Sequence, residues 1–456
     1  MDVEILARVQ FAVTIMFHYI YPPLSIGLGL LMVFYEGWYL KTANPLYLQM
    51  AKFWTRVFDL TFAVGVATGI VMEFEFGTNW STYSRFVGDI FGSALAAEGV
   101  FAFFLESGFL ALLLFGWNRI GKKLHFFATT MVCFGAHFSA VWIVVANSWM
   151  QTPAGFVIEG EGIKARAVIT DFWAMVFNPS SVDRLVHVIL GCWLAGAFLV
   201  ISISCYYLLK KRFEEFAVAS LKVALPFALF VCLLMAVSGD SNGKMVAKNQ
   251  PMKLAALEGR FKTEKRASLA LFGLPNTKER KLDYAIEIPG LLSWISYGDV
   301  DAEVKGLEAF PEADWPRTAA IFPIYRIMIL CWAAMFVASI IGCILLWKNK
   351  LVNHPWVLKC LVASVLLPQI ANQAGWTAAE MGRYPWIVYD LLRISEGLSK
   401  KVTASQVMGS LIMFTIIYIF LFLVFLYMLD KKIRHGPTET AYDLPFHQQE
   451  QRLENH

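Results

Sequence analysis

Nine apolar runs constrain this chain more than any other feature. They fall at 12–37, 54–76, 94–117, 125–147, 185–209, 217–238, 320–347, 356–379 and 405–429, each near or beyond the roughly 20 residues a helix needs to cross a bilayer. Of 456 residues, 57% are hydrophobic and 16% charged, against about 25% charged in soluble domains. One soluble core stops growing near about 250–300 residues, so lipid must accommodate this much apolar surface. Backbone groups in lipid need partners within their own segment, which makes each run a helix. The predicted fold class is an all-α integral membrane protein with about nine transmembrane helices. Pro22–Pro23 predicts a kink in the first span. Small residues such as Gly65 and Gly69 suit close helix contacts.

Basic residues set the orientation. Loops after odd-numbered spans hold Lys41 and Lys52; Arg119, Lys122 and Lys123; Lys210, Lys211 and Arg212; Lys348 and Lys350. Lys431, Lys432 and Arg434 follow the ninth span. Shorter loops on the other side hold Arg85, and Lys164 with Arg166, although the loop 380–404 carries four basic residues. The positive-inside rule places the N-terminus outside and the C-terminus in the cytoplasm. Residues 239–319 are polar and mixed in charge, and they predict a long extracytoplasmic loop between the sixth and seventh spans. The chain thus divides into a six-helix region over 1–238, that loop, a three-helix region over 320–430 and a polar tail over 431–456. Met1–Gln10 has two acids and one base and does not read as a secretory signal. The net charge of +4 gives no reason to expect nucleic acid as a partner. Cys133, Cys192, Cys205, Cys232, Cys331, Cys343 and Cys360 form no CxxC pair and read as small buried hydrophobes.

Ionisable groups at membrane depth cost a few kcal/mol each and need a reason. His18 lies in the first span, Glu73 and Glu75 close the second, and Glu98 and Glu106 lie in the third. His187 opens the fifth span, Arg326 and Met328 open the seventh, and Glu380 and Arg383 follow the eighth. With the N-terminus outside, His18, Glu98, His187, Met328, Glu380 and Arg383 all fall toward the outer side. Imidazole, thioether and carboxylate can ligate heme iron, and guanidinium can bind its propionates. Each residue alone has a plainer reading. A span histidine can be a packing residue, a methionine core filler, a carboxylate helix glue and an arginine a snorkelling cation. Only their shared depth favours a cofactor cluster.

A heme–copper centre needs a larger set of intramembrane histidines than this chain has. Only His18, His137 and His187 of its eight lie in or at the mouth of spans. His125 sits at a span end, and His354, His435, His447 and His456 lie in loops or the tail. The inventory fits heme without copper.

The chain resembles subunit I of the cytochrome bd-type quinol oxidases. The resemblance rests on VQFAVTIMFHYIYPPL around His18, GVATGIVMEFEFGTNW at 65–80, VGDIFG at 87–92 and AAEGVFAFFLES at 96–107. It continues through ANSWMQTP at 146–153, KLAALEGRF at 253–261, YRIM at 325–328 and AGWTAAEMGRYPW at 374–386. These motifs run in order over nearly the whole chain. The seventh span begins soon after Trp315, which marks a short-loop member.

The resemblance implies roles. His187 and Met328 would be axial ligands of a low-spin heme b. His18, Glu98 and Glu380 would serve a high-spin heme b and a heme d, with no individual pairing assigned. Arg326 and Arg383 would neutralise propionates, and Trp376 would lie among the hemes. Lys253 and Glu258 would belong to the quinol site. Glu106 and Ser107 would carry protons from the cytoplasm toward Glu98 and the oxygen site, and Ser139 is added to that relay from the residues alone. Glu98 and Glu106 are separated by about 12 Å along an ideal helix and about 80° around it. Partners implied are a second membrane subunit, a small single-span accessory peptide, quinol, O2 and lipid. The rival class is an ion-coupled transporter without a redox cofactor, which buried acids and broken helices also suit.

Overall fold

The structure, a computed structural model, describes residues 2–437. Of the predicted tail, 438–456 lie outside the described residues, His447 and His456 among them. Helix α1 (Val3–His18) starts where the Asp2 carboxylate accepts from the Glu4 N–H. It stops at His18, and Pro22 opens α2 (Pro22–Thr42). The expected kink is therefore a full interruption at Tyr19–Tyr21, placed there because proline fits the first turn of a helix, where no N–H is needed. Asn44 caps α3 (Pro45–Thr78). The third span is composite: α4 (Ser81–Phe86) leads to α5 (Gly88–Ala97), a π-helical turn at Glu98–Phe103 and α6 (Phe104–Phe115).

Helix α7 (Lys122–Gln151) is followed by a hairpin of β1 (Phe156–Glu159) and β2 (Arg166–Ile169), then by α8 (Phe172–Val176). Next come α9 (Ser181–Leu209) and α10 (Glu214–Asn249). The boundary expected at 238 marks the end of apolarity and not of the helix. Three more turns continue above it, held where Ser241 and Asn242 bond to the Asp183 carboxylate and carbonyl.

The predicted 239–319 loop is ordered. It contains the end of α10, α11 (Pro251–Glu258), β3 (Glu264–Lys265), a hairpin of β4 (Leu269–Asn276) and β5 (Lys281–Ile288), α12 (Leu291–Tyr297) and β6 (Glu303–Val304). Strand β6 pairs with β3, and Ala247, Leu254, Ala267, Leu292 and Val304 close a small apolar core beneath. The chain re-enters the bundle through α13 (Thr318–Trp347), α14 (Pro355–Ala363) and α15 (Leu366–Met381). A third hairpin, β7 (Trp386–Val388) and β8 (Leu392–Arg393), precedes α16 (Ile394–Gly397) and α17 (Ala404–His435). Among the described residues, nine spans are long and apolar enough to cross a membrane.

The connections after the second, fourth, sixth and eighth spans interlock at one end, here termed the loop end. Ser81 N–H donates to Ser399 Oγ at 2.8 Å, Tyr389 N–H to Met150 O at 2.9 Å and Gln250 Nε2 to Gln151 O at 3.1 Å. Arg393 and Asp314 add an ion pair at 2.6 Å. Five of the seven expected buried cysteines are buried, but Cys343 is half-buried and Cys360 exposed, because α14 turns it away from the bundle.

Helix α9 is the centre of the bundle. Its apolar stretch is 83% buried, against 11% for α17 and 17% for α13. It meets α2 with no room for a side chain. A Cβ on Gly196 would lie 2.3 Å from the Gly27 carbonyl carbon. Gly196→Val is therefore expected to cost about 3 kcal/mol or more, since overpacking even a well-formed core costs about 1–3 kcal/mol. Gly239→Val, in open space, is the control. Thermal unfolding of the detergent-extracted protein checks both.

Candidate functional site

A buried cluster of charge lies at the loop end, where α7, α9, α11 and α15 meet. Lys253 is 3% exposed, Arg383 5% and Arg184 9%. One carboxylate, Glu380, faces these three cations. Arg383 ion-pairs with Glu380 through Nη2. Asn147 Nδ2 donates to Glu380 Oε1 at 3.1 Å and Gln151 Nε2 at 3.3 Å. The Arg184 guanidinium donates to Asn147 Oδ1. Lys253 Nζ donates to Gln151 Oε1 at 2.9 Å and Gln250 Oε1 at 3.4 Å. Gly382 makes room for the Lys253 stem, because a Cβ there would lie 2.9 Å from Lys253 Cγ.

The cluster is short of negative charge. Arg184 Nε, Arg383 Nε and Arg383 Nη1 are buried without a hydrogen-bond partner, an arrangement that costs free energy unless an anion completes it. Burial pushes the Lys253 ammonium well below the usual lysine range. Arg184 and Arg383 push it the same way, and Glu380 opposes them. Of this cluster, sequence reasoning named Lys253, Glu380 and Arg383. It missed Arg184, Asn147, Gln151 and Gln250. The available signal was spacing: Arg184 lies one turn before His187, and Asn147 and Gln151 lie one turn apart.

Lys253 and Glu258, expected to act together, lie on one short helix but reach different partners. Glu258 ion-pairs with Arg326 at 2.5 Å, whereas Lys253 joins the glutamines. The Arg326 guanidinium lies 4.7 Å from the Phe322 ring centroid, and its Nε has no partner.

His18 Nδ1 lies 3.0 Å from Thr68 Oγ1. Gly69 admits the ring, since a Cβ there would lie 3.2 Å from His18 Cε1. The next residue, Tyr19, sets its ring edge-on to Trp376 at 5.6 Å, and Arg184 lies 5.6 Å from a Trp376 ring centroid. His187 Nδ1 lies 3.2 Å from Ser238 Oγ. The Met328 sulfur rests on Gly375, 3.0 Å from where a Cβ would stand. Asn372, on the same face of α15 as Gly375, donates to Gly191 O, one turn beyond His187. The helices carrying His187 and Met328 thus both abut one stretch of α15. Among the described residues, hydrogen bonds engage only Nδ1 of His18 and of His187. His137 differs: Nδ1 lies 2.8 Å from Cys133 O, and Nε2 accepts from Trp193 Nε1 at 2.8 Å.

Glu98 opens the π-helical turn and accepts from Ser139 Oγ at 2.8 Å. Glu106 is buried against Gly135 of α7, where a Cβ would lie 2.9 Å from Glu106 Cβ. The wide turn absorbs about one residue, so the offset between Glu98 and Glu106 falls from about 80° to about 20° and the rise to about 10 Å. The two carboxylates share a face more closely than an ideal helix predicts. Ser107 does not join them, because its hydroxyl donates to Phe103 O at 2.7 Å. Glu73 is exposed, whereas Glu75 is buried and accepts from Thr14 at 2.7 Å. The site residues occupy one half of the bundle and not one level. Glu98 at Ser139 and Glu380 at Asn147 are about 12 Å apart along α7.

A family model described as Cytochrome bd terminal oxidase subunit I matches residues 6–437. Cytochrome bd ubiquinol oxidase subunit 1 of Bacillus subtilis (strain 168) is 38% identical over 97% of this chain and 96% of its own. Cytochrome bd-II ubiquinol oxidase subunit 1 of Escherichia coli (strain K12) is 34% identical over 98% of this chain and 99% of its own. That alignment runs over 514 positions, more than this chain has residues. The solved bd oxidase from Geobacillus thermodenitrificans superposes with a TM-score of 0.88 at 29% identity, covering 95% of this chain and 99% of that one. A match from residue 6 to the end of the described chain, on a bundle of the same shape, means that this chain belongs to the cytochrome bd terminal oxidase subunit I family.

Proposed function

We propose that this chain is the heme-bearing subunit of a bacterial inner-membrane enzyme that oxidises quinol at the loop end, taken as the outside, and reduces O2 to water with protons from the cytoplasm. The observation that carries this reading is the anion-deficient cluster of Arg184, Arg383 and Lys253 beside Trp376 and one turn from His187. Its unpartnered guanidinium atoms fit carboxylates such as heme propionates. Among the described residues no three His, Cys, Asp or Glu side chains converge as a bare metal ion needs. A porphyrin supplies four nitrogens itself and asks the protein for one or two ligands. Bound hemes would supply electron carrying and oxygen activation.

His187 and Met328 would hold a low-spin heme b. Ser238 fixes the imidazole through Nδ1 and leaves Nε2 to coordinate. His18, Glu98 and Glu380 would serve the high-spin heme b and heme d. Thr68 orients His18 in the same way. Glu380 already receives Asn147 and Gln151 on Oε1 and Arg383 on Oε2, so iron would take the remaining lone pair on Oε2. Arg326 and Arg383 would hold propionates.

At the loop end, Lys253 is neutral over a pH range in which an ordinary lysine is charged, so its amine can accept a quinol proton. Gln151 and Gln250 orient that amine, and Glu258 offers a second acceptor. Glu106 and Glu98 would pass protons inward from the far end. Basic residues at Lys41, Lys122, Lys210 and Lys348 support placing that end in the cytoplasm. The uncovered apolar faces of α13 and α17 leave room for a second membrane subunit and a single-span peptide.

A reduced-minus-oxidised spectrum, repeated under carbon monoxide, tests the reading. Heme bands that shift with carbon monoxide are expected. A colourless protein would point to a transporter, and bands insensitive to carbon monoxide to a subunit without an open iron.

A further inference from the structure

A second buried acid–base cluster lies at the end of the bundle away from the loops, and nothing in the mechanism above uses it. Glu36 on α2 faces His125 and Thr129 on α7. His125 Nδ1 lies 2.6 Å from Glu36 Oε1, and both side chains are 3% exposed. His125 Nε2 lies 3.1 Å from Leu113 O of α6. The Thr129 hydroxyl bonds to Glu36 Oε2. The Trp117 ring lies tilted over the imidazole at 3.8 Å between centroids and carries the Lys52 ammonium 5.9 Å from its own centroid.

Hydrogen-bond bookkeeping defines the protons. Leu113 O can only accept, so Nε2 carries a proton. The 2.6 Å contact needs one more, on Nδ1 or on Oε1. The pair holds the same two protons either as imidazolium and carboxylate or as imidazole and carboxylic acid, with no heavy atom moving. It is neutral overall in both forms. As helix glue, such a pair has no advantage over two amides and a greater desolvation cost. What it adds is a proton that can change owner.

Its position gives that proton somewhere to go. Leu113 is seven residues from Glu106 on α6, about 10 Å along the helix and about 20° around it. Gly135, which packs on Glu106, follows Thr129 on α7. We propose that the Glu36–His125 pair, with Thr129, is the intake station that receives protons from the cytoplasm and hands them toward Glu106. This deepens the reading above and rests on it for direction. In one cycle a proton leaves the pair toward Glu106, through water between them, and another arrives from the cytoplasm past Trp117. The pair regains its two protons. Only O–H and N–H bonds change, and no electron is transferred.

The test uses the complete oxidase in liposomes, with pH dyes on both faces and single turnovers started by oxygen. Wild type is expected to draw protons from the cytoplasmic face. Glu36→Gln keeps the size and hydrogen-bonding reach of Glu36 but cannot exchange a proton. Proton uptake should slow by about tenfold or more, the solvent deuterium effect should rise, and heme content and quinol KM should not change. Uptake at the wild-type rate in Glu36→Gln overturns the inference and leaves the direction of proton flow intact. Uptake by wild type from the outer face overturns the direction itself. If Glu36→Gln does not assemble, Thr129→Val decides. It keeps the shape and the acid–imidazole pair but lacks the hydroxyl. Slowed uptake supports the station, and unchanged uptake overturns it.

Discussion

Met328→Leu is expected to abolish the low-spin heme band while the remaining heme absorption stays in place. Leucine matches methionine in volume, so the packing cost should stay below about 1.5 kcal/mol and the subunit should assemble. What disappears is the thioether, the one atom of this side chain able to bind iron. The sulfur's position is set from α15, where Gly375 leaves it room. Gly375→Ala is therefore expected to shift the same band by pushing the sulfur away, without touching a ligand. His187→Ala should reproduce the loss from the other side. Quinol oxidation should fall to background in Met328→Leu and His187→Ala, because electrons then have no first acceptor. A low-spin band that survives both substitutions would sink the assignment.

Glu106→Gln is expected to slow turnover by about 100-fold with all hemes retained, the scale on which a positioned acid–base group acts. Glu106 is 6% exposed, and glutamine fills its place against Gly135. The amide cannot release a proton. Ser107→Ala should change turnover far less, because that hydroxyl is spent on Phe103 O. Oxygen uptake by the purified enzyme checks both. Equal rates in wild type and Glu106→Gln would remove Glu106 from the path.

The two expectations draw on different sources. Glu106 was legible as an acid out of place in an apolar run, whereas Met328 alone read as core filler and gained a role only through the YRIM motif of the family resemblance. The distinction between Glu106 and its neighbour was not legible. Ser107 adjoins Glu106 in sequence, but successive side chains on a helix diverge by about 100°, and the hydroxyl turns back on its own backbone. Ser139, 41 positions from Glu98, is the serine that reaches the Glu98 carboxylate.

Sequence by itself determined the nine spans, their helical state and, of the loop-end cluster, Lys253, Glu380 and Arg383. Apolarity and the need to pair backbone groups in lipid are properties of each segment alone, and an ionisable group in such a segment stands out wherever it later packs. Tertiary structure decided which of these groups meet. Asn147 and Glu380 are 233 positions apart, Arg326 and Glu258 are 68 apart, and Glu36 and His125 are 89 apart. It also decided the π-helical turn at Glu98 and the run of α10 beyond the apolar stretch. A partner for a buried charge is chosen by which helix faces abut, through contacts such as Gly27 on Gly196, and no local periodicity encodes that choice.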